Sequence, residues 1–86
     1  MPPALLPVAP IVLKRILEKY SFEVCGEDDD NWVLARGGGE SPIAVITLPK
    51  RGKKVALDIM SNALHMATMD NSTYFRLKEQ VEQETA

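Results

Sequence analysis

The stretch Ile43–Ala67, IAVITLPKRGKKVALDIMSNALHMA, constrains the chain more than any other. Ile43–Leu48 is short and rich in β-branched residues, as a sheet-core strand requires. Pro49 ends it, because proline cannot donate to the sheet ladder. Lys50, Arg51, Lys53 and Lys54 then carry positive charge around a turn that contains Gly52. Leu57, Met60, Leu64 and Ala67 follow at helical spacing. A strand, a basic loop and a helix in this order need further elements to cover them, and the flanking segments supply them.

Upstream, Pro10 suits the first turn of a helix, where its missing N–H costs nothing. Leu13, Ile16, Leu17 and Tyr20 form one buried face and Lys14, Arg15, Glu18 and Lys19 the wet side, which predicts a helix over 10–20. Ser21–Cys25 alternates, with Phe22 and Val24 on one side and Glu23 and Cys25 on the other. A polar turn, Gly26–Asn31, leads to a second strand, Trp32–Arg36. Gly37–Pro42 reads as a flexible hairpin loop before the third strand. Short strands joined by short loops favour an antiparallel meander.

Downstream, the helix over 56–67 carries a second apolar stripe, Ile59, Ala63 and Met66. This predicts burial on two sides, with the last helix as the second cover. Asp70 or Asn71 can cap that last helix. Tyr74, Leu77 and Val81 mark its apolar face, and the polar tail 82–86 is expected to fray. Residues 1–9, with repeated proline, read as an irregular arm. The prediction is a small single α+β domain over 10–81, ordered α-β-β-β-α-α. A three-stranded antiparallel sheet carries the helices on one face.

With 86 residues the chain makes one domain with one modest core. Its 45% apolar and 26% charged residues are those of a soluble globular protein. The net charge of −2 does not by itself predict a nucleic-acid binder. The charge is uneven, however: Glu27–Asp30 is a run of acids and Lys50–Lys54 a run of bases. A single cysteine excludes an intramolecular disulfide and points to a reduced, cytoplasmic setting. The proline-rich start has no basic segment before its apolar residues, so neither a signal peptide nor a membrane span is expected.

The basic loop is the sharpest candidate site. Lys50, Arg51, Lys53 and Lys54 can neutralise phosphates, and a loop that opens a helix brings the helix N-terminus near an anion. His65, the only histidine, is a weak catalytic candidate on the polar side of its helix with Asp58, Ser61 and Asn62. It has no evident nucleophile or second base beside it. The acidic run lacks the alternating ligand spacing of a calcium site, so no metal is expected. Gly37–Gly39 joins two strands and lacks the lysine of a phosphate loop, and no cofactor is expected. Cys25 reads as an inert thiol. Leu5, Leu6 and Val8 in the arm, and Trp32 if it stands on the open sheet face, are candidate partner contacts.

From residue 11 to 77 the chain resembles the HicA-like family of small mRNA-cleaving toxins, whose fold is similar to a double-stranded-RNA-binding domain. The resemblance rests on Phe22 and Glu23 after the first helix, on Val45–Pro49 closing the meander, and on the Arg51-Gly-Lys-Lys54 loop. Met60, Ala63, Leu64, Ala67, Met69, Asp70 and Tyr74 complete it by their spacing. Active members of the family carry a histidine at the start of the second strand; the corresponding residues here, Gly26–Trp32, contain none. The resemblance therefore implies a catalytically inactive domain that binds RNA through the basic loop. Two alternatives stand beside it. One is a protein-interaction module, pairing with itself or with an antitoxin-like protein. The other is a residual ribonuclease using His65.

Overall fold

The computed structural model describes residues 5–37 and 44–85, with only the backbone described at Thr85. The elements are α1 (Pro10–Lys19), β1 (Glu23–Glu27), β2 (Asn31–Arg36), β3 (Ala44–Pro49), α2 (Leu57–Met66) and α3 (Asn71–Thr85). The order α-β-β-β-α-α and the antiparallel sheet β1-β2-β3 are those the sequence predicts. The start of the third strand at Ile43, most of the Gly37–Pro42 loop, the first four residues of the arm and Ala86 lie outside the described residues.

Alternation in the strands decides the layers. Leu34 pairs with Ile46 and Trp32 with Leu48, and this face meets the helices. Leu34, Ile46 and Leu48 are buried with Leu13, Ile16 and Leu17 of α1 and with Tyr74, Leu77 and Val81 of α3. Val45 and Thr47 point to the other, open face and are exposed. At β1 the alternation breaks. The register shifts between Val24 and Gly26, which makes a bulge at Cys25. The bulge moves Glu27 opposite Trp32, and so onto the helix face.

The helix ends explain where the chain turns. α1 starts with Pro10 at its first position. It closes with Phe22 N–H donating to Leu17 O at 3.0 Å and Ser21 N–H to Glu18 O at 3.2 Å. α2 closes the same way, Met69 N–H to Leu64 O and Thr68 N–H to His65 O, both at 3.0 Å. These are Schellman closures, which need a left-handed residue after the helix. Ser21 and Thr68 take that position at φ 75° and 56°. α3 is capped by Asp70, whose Oδ1 accepts from Thr73 N–H at 2.8 Å. The Thr73 hydroxyl, and then that N–H, hold the Asp70 carboxyl below its ordinary pKa.

Two expectations are corrected. α2 is not buried on both sides: Met60, Ala63 and Leu64 are buried, whereas Leu57, Ile59 and Met66 are exposed. α3 does not supply the second cover, because it packs chiefly along α1. The expected frayed tail from Glu82 is helical through Thr85, and Glu84 forms an ion pair with Lys19 of α1. The arm residues 5–9 have no regular structure, yet Val8 is buried and its carbonyl accepts from Val55 N–H at 2.8 Å.

Candidate functional site

The basic loop follows β3 directly. Gly52 stands at φ 95°, a conformation that side chains disfavour, and so lets the chain turn between the lysines. The loop meets the acidic turn that joins β1 to β2. Lys50 N–H donates to Asp30 O at 2.8 Å, and the Lys50 ammonium pairs with Glu27. Arg51 Nε lies 2.7 Å from Asp30 Oδ1. The turn itself is held by Asp28, whose Oδ1 accepts from Asp30 N–H at 2.8 Å and Asn31 N–H at 2.7 Å. These two backbone donors, Asp30 first, keep the Asp28 carboxyl below its ordinary pKa. The two charge runs that look separate in the sequence therefore neutralise one another in part. Lys53 and Lys54 remain exposed beyond the pairs.

Trp32 stands on the helix face of the sheet, half-buried, and not on the open face. Lys14 Nζ lies 5.4 Å and Lys50 Nζ 5.7 Å from its ring centroid. Each distance is within cation–π range, so its ring already serves two lysines of the chain itself. His65 is exposed near the end of α2, and Cys25 is exposed at the bulge. Among the described residues, no group of three or more His, Cys, Asp or Glu is placed to hold a metal ion. Of the candidate partner contacts in the arm, Leu6 is exposed, Leu5 packs against the core and Val8 lies inside it.

A concave feature lies where sequence reasoning placed no site. A groove of about 610 Å³ runs between β3 and α2, lined by Val45, Ile46 and Thr47 on one side and Ile59, Ala63 and Met66 on the other. Asp58 and Asn62 border it, and Asp58 is the only charged residue among the described ones that line it. β3 is an edge strand. The phase of its ladder follows from two observations. Lys50 N–H donates across to Asp30 O, and Pro49, which has no N–H, stands opposite Asn31. Hydrogen-bonded and non-hydrogen-bonded pairs alternate in an antiparallel ladder. The Leu48 and Ile46 pairs therefore bond to β2, and the N–H and C=O groups of Val45 and Thr47 point away from it.

The groove thus combines a free row of backbone donors and acceptors with an apolar wall. Two signals could have located it. A strand that closes a meander and ends in proline is an edge strand. An α2 with two apolar stripes, in a chain too short to cover both, leaves one stripe open.

No family model matches the chain, and no curated protein or solved structure matches it either. No helix among the described residues is long and apolar enough to cross a membrane.

Proposed function

We propose that this chain is a protein-interaction domain that receives an extended polypeptide segment in the groove between β3 and α2. The observation that carries the reading is the open β3 edge, with the outward backbone groups of Val45 and Thr47 beside the exposed apolar side chains of Ile59 and Met66. Adding a strand to an exposed edge is a recurring mode of peptide recognition. Main-chain bonds give the affinity and the neighbouring pockets give the selectivity. The partial neutralisation of the basic loop by Glu27 and Asp30 supports a site elsewhere than on that loop.

Two sites of photo-crosslinking test the proposal. A photoreactive side chain in place of Ile59 is expected to give polypeptide adducts that disappear when Val45→Lys is added. The same group in place of Lys54 is expected to give no RNA adduct. RNA adducts at position 54, with none to polypeptide at 59, would overturn the reading.

RNA binding is the second reading, and the exposed Lys53 and Lys54 favour it. It would show as a gel shift with double-stranded RNA that weakens steeply with salt, and that Lys53→Glu with Lys54→Glu abolishes.

A further inference from the structure

We propose that the segment occupying the groove is β3 of a second copy, the two strands pairing antiparallel about a two-fold axis at Ile46. The inference rests on the docking reading above and names its partner. A two-fold axis sets a patch against itself, residue i meeting j and j meeting i, so it tests a surface for self-complementarity. β3 passes that test in three ways.

The first is hydrogen bonding. With the axis at Ile46, Val45 stands opposite Thr47 of the other copy, and Thr47 opposite its Val45. Both residues carry outward N–H and C=O groups, so each pair exchanges two bonds and every outward donor at these positions meets an acceptor. Pro49 lacks an N–H, but it lies at the far end of the strand, where pairing ends.

The second is side-chain fit. Val45 and Thr47, both β-branched, would face one another across the junction on the open side of the sheet, a favourable cross-strand pair. On the helix side, the exposed Ile59 and Met66 flank the strand and would meet their counterparts. Among the described residues six large apolar ones are exposed, and four of them, Val45, Leu57, Ile59 and Met66, belong to this strand and helix.

The third is charge. Any charge near a two-fold axis faces its own copy and repels it. Ala44–Pro49 contains no charged residue, and the charge that borders the groove, Asp58, lies on α2 and not on the strand. Natural edge strands that stay unpaired usually carry a lysine, a proline, a bulge or an inward charge as protection. β3 has only Pro49, at its last position and outside the Val45–Thr47 pairing, and its register with β2 is unbroken over six pairs. A six-stranded sheet with the two α2 helices side by side beneath the junction follows from these features.

Sedimentation equilibrium on the full chain tests this. The wild type is expected at twice the mass of one chain. Val45→Lys places a charge at the axis, and Val45→Pro deletes one outward N–H without removing a bond to β2. Both are expected at the mass of one chain, with unchanged circular dichroism. Ile11→Lys, at an exposed apolar site on α1, should stay double. If Val45→Pro loses its circular dichroism, Val45→Lys decides. A wild type at the mass of one chain at every concentration overturns the inference, as does a double mass that survives Val45→Lys. With a single-chain wild type, Ile59 adducts to a different polypeptide would overturn the copy but leave the docking reading standing. No groove adduct at all would overturn both.

Discussion

Thr68 holds φ 56° because α2 must end there and Met69 must turn back into the core, where it is 6% exposed. Its carbonyl also accepts from the Tyr20 hydroxyl at 3.3 Å, which ties the ends of α1 and α2 together. A left-handed conformation costs a side-chain-bearing residue about 1–2 kcal/mol, and glycine almost nothing. Thr68→Gly keeps both closing bonds, since they are made by backbone atoms. It is expected to raise the stability of the chain by about 1 kcal/mol in urea unfolding; a loss would mean that the threonine side chain carries a contact worth more than the strain. Tyr74 stores cost of another kind. Its ring is fully buried, 5.1 Å from that of Phe75 and at an edge angle to it, and its hydroxyl has no hydrogen-bond partner among the described residues. Burial, with the Glu82 charge second, pushes its pKa up from 10.0 to about 12. Between those two values the unfolded chain gives up a proton that the folded chain keeps, so stability falls as pH rises through that window. Tyr74→Phe leaves the ring and removes the unpaired hydroxyl, whose burial costs about 1–3 kcal/mol. The variant is expected to be more stable at neutral pH and to lose less stability than the wild type between pH 10 and about 12, as read from urea midpoints across that range.

At the scale of elements, period and breaker residues made the fold legible. Leu13, Ile16 and Leu17 recur at helical spacing and are buried; Tyr74, Leu77 and Val81 do the same for α3. Pro10 and Asp70 stand at the helix starts that their chemistry favours. What escaped the sequence depends on partners far away in the chain. The bulge at Cys25 leaves the composition of the strand unchanged and alters only its phase, so an unbroken pleat would put Glu27 on the wrong face. That phase change, together with the tight turn at Asp28, brings Glu27 to Lys50 and Asp30 to Arg51. A basic loop that reads as a free phosphate contact is thereby half committed within the chain. The two helix closures were hidden for a simpler reason: glycine is the usual marker of such an end, and here serine and threonine occupy the position. The groove was hidden because an apolar stripe signals burial, and nothing in the spacing of Ile59, Ala63 and Met66 says whether the cover comes from within the chain.

At the scale of the whole molecule, the N-terminal arm belongs to the fold as much as to any interface. Val8 is 8% exposed, and its carbonyl holds the N–H of Val55, which is itself 1% exposed. Val55 is the first buried residue after the basic loop and leads into α2. The arm therefore fixes the connection between β3 and α2, the two walls of the groove. Leu6, two residues away, is 66% exposed. The two positions separate a structural arm from a purely interactive one. Val8→Ala removes two buried carbon groups at about 0.8 kcal/mol each, plus the cavity they leave, and is expected to cost about 2 kcal/mol. Leu6→Ala should stay within about 0.5 kcal/mol of the wild type. A chain of this size has only about 4–13 kcal/mol in all, so the first loss lowers the thermal midpoint by about 8–16 °C while the second shifts it by no more than about 4 °C. Equal small effects would return the arm to the status of a free tail. The expected difference would make the groove conditional on the arm, and Val8→Ala should then weaken association through β3 as well, although Val8 lines no part of the groove.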